Sequence, residues 1–288
     1  MANQTEKNLS WFPGHMQKTL NQIKEIINNV DIVIQIADAR APISSLNNNL
    51  EKIIDSKYKV LLLSKKDLSD LNKLNIFIKY YESKGYKCIP IDLKNKKDIS
   101  NLVKTLESVE TPKIRKYKKF NLLPPPSRCL IVGIPNVGKS TLINSISNKN
   151  RASVANKPGH TKSMQVIKVS DKLELIDTPG VLSPNYESKN IIYHLSWIGS
   201  IKDEAINMEE IYSSLADFVI KNYGDYIYSR YDISKDIVLD NSNFYLEIAK
   251  SRNFLLKNDV YDISRAKTTF INEFRNGIIG RIVVDECA

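Results

Sequence analysis

The stretch GIPNVGKST, Gly133–Thr141, organises the rest of this chain. It follows the apolar run CLIV and leads into the helical pattern TLINSISN. A strand, a glycine-containing turn and a helix are the context that a G-x-x-x-x-G-K-S/T pattern requires. Such a turn lets backbone N–H groups close around a phosphate chain at the positive end of the following helix. The stretch therefore predicts a nucleotide site formed by Asn136, Val137, Gly138, Lys139, Ser140 and Thr141.

Two side chains of this loop have chemistry that suits a nucleoside triphosphate. Lys139 can reach the β- and γ-phosphates, and the hydroxyl of Ser140 can bind Mg²⁺. The loop alone does not say which base the nucleotide carries.

Composition indicates a globular chain in the cytosol. The 288 residues are 42% hydrophobic and 26% charged, which is ordinary for a globular protein with a buried core. No stretch approaches 18 continuous apolar residues, and the first ten residues lack the apolar centre of a signal peptide. The three cysteines, Cys88, Cys129 and Cys287, are isolated. They predict neither a disulfide framework nor a zinc pair, so we expect a cytosolic protein without a membrane segment.

Positive charge is concentrated in the first part of the chain. Residues 1–180 hold 30 Lys and Arg against 16 Asp and Glu, whereas residues 181–288 hold 12 against 16. A basic field suits a polyanionic partner such as RNA. A solvated lysine-rich surface, or the codon usage of an AT-rich genome, would give the same excess, so charge alone leaves both readings open.

Strand and helix patterns alternate before the phosphate loop. Buried strands are predicted at Asp31–Asp38, Lys59–Leu63 and Tyr86–Asp92, and helices at Gln17–Asn29, Leu71–Ser83 and Ile99–Ser108. Alternation of this kind predicts an α/β fold with a parallel sheet. Ligands of such sheets lie at the carboxyl ends of the strands, where DAR, SKKD and the phosphate loop all fall.

The motif SKKD, Ser64–Asp67, resembles the guanine-specificity motif [NT]-K-x-D. Asp67 would accept hydrogen bonds from the N1–H and 2-amino groups of guanine, and the stem of Lys65 would lie over the base. Adenine lacks that pair of donors, so the carboxylate would reject ATP. Ser64 stands where asparagine is usual, and the asparagine amide normally ties the base loop to the rest of the pocket.

Two further motifs follow the phosphate loop. Thr161, in KPGHT, is placed to bind Mg²⁺ and to sense the γ-phosphate. In DTPG, Asp177 would hold Mg²⁺ through water, and the N–H of Gly180 would meet the γ-phosphate. The next residue is Val181, whose side chain cannot orient an attacking water as a glutamine does.

Motif order and the C-terminal pattern suggest the domain organisation. The base motif precedes the phosphate loop, which is a permutation that a fold survives if its original termini were close. From Pro184 onward, helices are predicted at Lys189–Ile201, Met208–Tyr223, Asn243–Leu256 and Asp259–Arg275. We expect a nucleotide-binding domain at 1–183 and a helical domain at 184–288.

Two stretches outside these motifs stand out. The segment 111–128 has six basic residues, no acidic ones and three consecutive prolines, which predicts an extended connector. It is either an RNA contact or a solvated linker. The opening WFPGHM contains His15; a histidine near a terminus is more often structural or exposed, and the residues alone leave its role open.

Together and in this order, WFPGHM, DARAP, SKKD, GIPNVGKST, KPGHT and DTPG resemble the circularly permuted GTPases of the YlqF/RbgA family, ribosome biogenesis GTPase A. The resemblance covers almost the full length. It implies a cytosolic, Mg²⁺-dependent GTPase that acts late in assembly of the large ribosomal subunit. It also implies a helical domain that contacts rRNA, activation by the ribosomal particle, and a protein that is monomeric off the ribosome.

The resemblance also implies particular roles. His15 would act catalytically beside Lys139 and Thr161, in place of the absent glutamine, and Asn136 would accompany activation by K⁺. The guanine would be contacted by Ser64, Lys65, Lys66, Asp67, Asp92 and Leu93.

Two departures from the family pattern, Ser64 and the loop Asp92-Leu93-Lys94, predict looser guanine binding. The alternative function is an RNA-binding assembly factor with little GTP turnover.

Overall fold

The computed structural model describes residues 14–47, 50–150, 165–180 and 188–286, and gives the backbone alone at residues 14–16, 52, 148–150 and 205. Contacts divide the described residues into two units. The sheet unit draws on the ranges 1–37, 45–64 and 78–187, and the helical unit draws on 38–44, 65–77 and 188–288.

A six-stranded sheet forms the centre of the sheet unit, with the strand order β3-β2-β1-β4-β6-β5. β4 pairs in parallel with β1 on one side and with β6 on the other, and β2 pairs in parallel with β3. The edge strand β5 runs antiparallel to β6, a strand that the sequence patterns did not indicate. The strands are β1 Ile32–Asp38, β2 Tyr58–Ser64, β3 Tyr86–Ile91, β4 Ser127–Gly133, β5 Gln165–Ser170 and β6 Leu173–Asp177.

The central strands are the apolar runs of the sequence. Every residue of β1 is buried, as are five consecutive residues of β4. Continuous burial is expected of strands that helices cover on both faces. The predicted parallel α/β fold is confirmed, and three predicted strands match β1 to β3 within one residue at each end.

Helices connect these strands along the chain. α3 begins and ends where the sequence pattern predicts, and α4 is capped by Asn95, whose side chain accepts hydrogen bonds from the backbone N–H groups of Lys97 and Asp98. The first six helices are α1 Gly14–Ile26, α2 Glu51–Ile54, α3 Leu71–Ser83, α4 Lys96–Glu107, α5 Pro112–Lys119 and α6 Lys139–Asn150.

The prediction of an extended connector over 111–128 was wrong for its first half, because α5 occupies it. Thr111 caps α5 by accepting a hydrogen bond from the backbone N–H of Ile114, and Pro112 takes the first helical position, where its missing N–H costs nothing. Lysines in the last turn favour the negative end of the helix. Between the helix and β4, residues 120–126, which include the three prolines, are irregular.

Helices of the helical unit meet in an aromatic core. The rings of Phe244 and Phe270 meet edge to face, with 4.9 Å between their centroids, and Tyr245 and Tyr231 adjoin them. α8 is longer than predicted because Tyr223, with non-helical backbone angles, bends the helix without ending it. These helices are α7 Lys189–Trp197, α8 Met208–Tyr231, α9 Phe244–Ser251 and α10 Ile263–Arg275.

None of the helices in the described part of the chain combines the length and apolar character needed to cross a bilayer.

Candidate active site

The phosphate loop lies between β4 and α6, as the motif predicts. Asn136 and Gly138 take left-handed backbone angles, with φ values of 62° and 107°. At Gly138 a side chain would also meet Leu93, because an added Cβ would lie 2.6 Å from its Cδ1. Glycine is therefore required here on two grounds. The turn brings the chain to the N-terminus of α6, which favours phosphate binding through the helix N–H groups.

Lys139 lies along the inside of the loop. Its Nζ donates hydrogen bonds to the carbonyl oxygens of Gly133, at 2.9 Å, and Ile134, at 2.7 Å. Burial lowers the pKa of Lys139 to about 8, against the opposing charge of Asp177. A buried ammonium of this kind gains from an anionic ligand that replaces its lost hydration.

The DTPG loop borders the phosphate loop. Asp177 ends β6 opposite Ile131 of β4, and Thr178 donates a 2.8 Å hydrogen bond to the carbonyl oxygen of Ile131. A side chain at Gly180 would be crowded, because an added Cβ would lie 3.1 Å from both Lys139 Nζ and the backbone nitrogen of Pro135. The backbone of Gly180 therefore reaches the same end of the site as Lys139.

The residues present fit a magnesium ion held together with phosphate. Ser140 and Thr141 begin α6 with exposed side chains, and Asp177 is buried at the end of β6. Hydroxyl and carboxylate oxygens are ligands that Mg²⁺ accepts, and it usually binds through few protein groups plus substrate phosphates. The described residues contain no cluster of three or more His, Cys, Asp or Glu that could hold a metal ion.

Ser64 ties β2 to the phosphate loop. Its buried hydroxyl lies 2.7 Å from the carbonyl oxygen of Val137 and 3.0 Å from that of Ala37. A hydroxyl has a single proton to donate, so it bonds one of these carbonyls at a time. The link that the absent asparagine amide was expected to supply is therefore present through a shorter side chain.

The loop after β3 reaches the phosphate loop from another direction. Leu93 is buried against Gly138, and its carbonyl oxygen accepts a 2.9 Å hydrogen bond from Ser145 of α6. The carboxylate of Asp92 accepts a 2.8 Å bond from the backbone N–H of Lys94. Asp92 and Leu93 thus belong to a defined turn beside the loop, although the expected sequence of that turn is absent.

The rest of the SKKD motif belongs to the helical unit. Lys65 is left-handed, with φ at 56°, and Lys66–Leu68 forms a 3₁₀ turn on which the side chain of Asp67 is exposed. Lys65 Nζ lies 2.8 Å from the buried carboxylate of Asp38. Lys65 of the base motif is therefore held by Asp38, the first residue of DAR at the end of β1.

Arg40 completes a buried ion-pair network that the motifs did not assign. Its guanidinium pairs with Asp38 at 2.9 Å and donates to the backbone carbonyl oxygen of Arg275 at 2.9 Å. Burial alone would raise the pKa of Asp38, but Arg40 and Lys65 outweigh it and hold that pKa well below its usual range. The position of DAR at a strand end was the available sequence signal.

A second polar cluster lies in the helical unit, away from any predicted motif. Asp285 accepts hydrogen bonds from the backbone N–H groups of Ile43 and Ser44, and its carboxylate lies 2.8 Å from Nδ1 of His194. A cavity of about 430 Å³ adjoins the cluster and is also lined by Trp197 and Phe218. Nothing in the local sequence marks these residues, because the chain brings them together from three distant segments.

Three predicted positions cannot be assigned a side-chain contact. Thr161 and Val181 lie outside the described residues, and His15 is described only as part of the backbone of α1.

A phosphate loop and an adjoining DTPG turn on one α/β sheet, with a base motif earlier in the chain, define a GTPase. Residues 128–235 match the family described as 50S ribosome-binding GTPase. The chain is 33% identical over 277 residues to ribosome biogenesis GTPase A of Bacillus cereus, covering 96% of this chain and 93% of the relative. It is 34% identical over 284 residues to the probable ribosome biogenesis GTPase A of Mycoplasma genitalium, covering 98% of both chains.

Solved structures agree with these relatives. A GDP-bound YlqF structure superposes on this chain with a TM-score of 0.65 at 26% identity. The match covers 92% of this chain and 98% of that one. The GNP-bound YlqF of Thermotoga maritima gives 0.61 at 25% identity, covering 93% and 98%. The chain belongs to the ribosome biogenesis GTPase A family. It is a GTP-hydrolysing enzyme that binds GTP and GDP and serves ribosome assembly.

Proposed function

We propose that this GTPase acts late in maturation of the large ribosomal subunit and that the subunit particle stimulates its GTP hydrolysis. The observation that carries the proposal is the packing of Gly180 against Lys139 in a chain similar over its full length to ribosome biogenesis GTPases. The basic excess of residues 1–180 supports an RNA-rich partner. We assign the nucleotide chemistry to residues 1–183 and the rRNA contact to the helical residues 184–288, and place the protein in the cytosol as a monomer off the ribosome.

The phosphate chain is bound by charge and by backbone N–H groups. On nucleotide binding, Lys139 exchanges its two carbonyl partners for β- and γ-phosphate oxygens. Their negative charge compensates the ammonium group for the hydration that it lost on burial. The N–H groups of Gly138, Ser140 and Thr141, with the turn at Val137, surround the phosphates at the start of α6. The N–H of Gly180 meets the γ-phosphate, so this end of the site distinguishes GTP from GDP.

Ser140 and Thr161 would hold Mg²⁺, with Asp177 assisting through water. When bound, the ion would neutralise charge on the β- and γ-phosphate oxygens. The burial of Asp177 beside Lys139 supports this assignment, because the carboxylate is fixed at the phosphate end of the sheet.

Guanine is selected by the SKKD turn. Asp67 accepts the N1–H and 2-amino hydrogen bonds, and Lys65 covers the base while Asp38 fixes its ammonium group. Lys66 and the turn at Asp92 and Leu93 complete the base site. Asp38 is a positioning residue here, because it acts on the base only through Lys65.

The attacking water is positioned by His15, because Val181 offers no hydrogen-bonding group. Asn136, at the tip of the phosphate loop, would supply an oxygen ligand for K⁺. Replacing K⁺ by Na⁺ should slow hydrolysis by the native enzyme and leave an Asn136→Ala variant unchanged; equal native rates would reject the potassium site.

The direct test is phosphate release with and without purified large subunits. Stimulation by large subunits, none by small subunits, and loss in Lys139→Ala are expected. Equal turnover with and without large subunits would reject the proposed activation.

A further inference from the structure

We propose that α5 and the three exposed apolar residues that follow it form an RNA-docking surface, here called the α5 surface. It comprises the cations Arg115, Lys116 and Lys119 and the apolar residues Phe120, Leu122 and Leu123. The inference rests on the proposed function for the identity of the particle and adds where the sheet unit would touch its RNA.

The helix is built and anchored, so its surface is presented in a fixed form. At its C-terminus, Asn121 is left-handed at a φ of 54°, its N–H bonds the carbonyl of Lys118, and the N–H of Leu122 bonds that of Tyr117. These two bonds make a Schellman cap. Lys113 anchors the other end, with its Nζ 3.3 Å from the carboxylate of Asp31.

Cations of the surface face outward. Arg115, Lys116 and Lys119 are exposed and make no ion pair with the described residues, whereas Lys113 and Lys118 are paired with Asp31 and Glu110. Between residues 112 and 128 there is no acidic side chain. A cationic strip of this kind neutralises phosphates, and the lysines also lie at the favourable end of the helix dipole.

Large apolar side chains continue the strip. Phe120 is 62% exposed, Leu122 is 58% exposed and Leu123 is 93% exposed. Exposed side chains of this size close together indicate a contact surface. The three prolines that follow restrict the chain after Leu123, because each fixes its own φ.

Charge and aromatic character together favour RNA over other occupants. Unpaired RNA bases stack on aromatic side chains while cations track the backbone. An acidic protein would pair with the cations but would not explain the exposed phenyl ring of Phe120. A lipid surface would bury the apolar face of an amphipathic helix, whereas the large exposed apolar side chains here, Phe120 and Leu123, lie after the helix. The occupant is therefore an rRNA segment with unpaired bases.

The test compares three variants of the full chain. Arg115→Ala/Lys116→Ala/Lys119→Ala removes the cations, and Phe120→Ala/Leu123→Ala removes the apolar part. Lys79→Ala/Lys87→Ala/Lys104→Ala removes three exposed lysines elsewhere on the sheet unit and is the matched control. Binding to deproteinised large-subunit rRNA is measured at several salt concentrations, and basal GTP hydrolysis and thermal unfolding verify that each variant is folded.

Loss of the three α5 cations should weaken rRNA binding about tenfold or more and reduce the slope of log affinity against log salt by about 2, since each phosphate contact on a single strand contributes about 0.7. Loss of Phe120 and Leu123 should weaken binding about fivefold or more at unchanged slope, because stacking is not ionic. The lysine control should lose less than either variant.

Equal losses of rRNA affinity in the α5 and control variants would overturn the proposed surface and indicate non-specific charge attraction. Unchanged rRNA binding with lost binding to whole particles would overturn it in favour of a protein partner. Unchanged rRNA binding with lost binding to phosphatidylglycerol vesicles would overturn it in favour of a lipid. If large subunits do not change the rate of wild-type GTP turnover but the α5 variants still lose rRNA affinity, the proposed activation fails and the α5 surface stands.

Discussion

The hydroxyl of Ser64 lies 2.7 Å from the backbone carbonyl oxygen of Val137, joining the strand that carries the base motif to the phosphate loop. Ser64 is fully buried, and its hydroxyl can donate its one proton either to the carbonyl of Val137 or to that of Ala37. The departure from asparagine at this position therefore preserves a connection within the sheet unit. The predicted loosening of guanine binding remains to be measured.

Ser64→Ala should lower both nucleotide affinity and stability. Leaving a buried carbonyl without its donor costs about 1–3 kcal/mol, and the loop that the bond holds would lose its fixed position. GTP titration and denaturant unfolding measure the two effects. Ser108→Ala, which removes an exposed hydroxyl bonded to Thr105, is the control. If both variants behave alike, the Ser64 bond has no role in the site.

Asp67→Asn should exchange base preference from guanine to xanthine. The amide no longer accepts both guanine donors, but its NH₂ can donate to the 2-oxo group of xanthine. Competition between GTP and xanthosine triphosphate measures the exchange. Asp70→Asn is the control, because Asp70 accepts a 2.9 Å hydrogen bond from the backbone N–H of Asn72 and asparagine caps equally well. Undiminished GTP affinity in Asp67→Asn would remove Asp67 from the base site.

Lys139→Ala should weaken nucleotide binding by about 2–5 kcal/mol, the range for truncating one partner of a buried charged pair. The pKa of about 8 adds a pH test. Between pH 7.5 and 9, GTP affinity should fall about tenfold, because an increasing fraction of Lys139 must be protonated before it binds phosphate. Lys139→Arg stays charged and should show no such fall. Matching pH profiles of the two proteins would contradict the role of Lys139.

The same group makes stability depend on pH. Burial lowers the pKa of Lys139 in the folded chain below its ordinary value of 10.5. Between about pH 8 and that value the unfolded chain binds the proton more strongly. The contribution of Lys139 to the free energy of unfolding of the nucleotide-free protein should therefore increase as the pH rises through that window.

His15→Ala should leave GTP affinity unchanged and reduce turnover stimulated by large subunits. A group that positions the attacking water typically contributes about 10²–10⁴-fold to the rate. Gln17→Ala, on the same helix with an exposed side chain, is the control. Full stimulated turnover in His15→Ala would return this histidine to a structural role.

Local patterns predicted the fold because its central strands are continuous apolar runs and its phosphate loop is a fixed motif. They failed at α5, where three prolines and six basic residues suggested an extended chain but a cap at Thr111 and proline at the first helical position begin a helix. Local sequence patterns could not predict contacts between distant segments of the chain. The hydroxyl of Ser64 beside Val137, and Asp285 between Ser44 and His194, are pairings that only the folded chain creates.

The most direct test of the central claim is co-sedimentation of the protein with large subunits in the presence of GDP or a non-hydrolysable GTP analogue. The γ-phosphate is expected to order the loops of Thr161 and Gly180, and so to favour the form that fits the particle. By linkage, the particle then favours the GTP-bound protein by the same factor, about 1–3 kcal/mol or about 5–150-fold in affinity. Tighter binding with the analogue is the predicted result, and equal binding with both nucleotides would contradict the account.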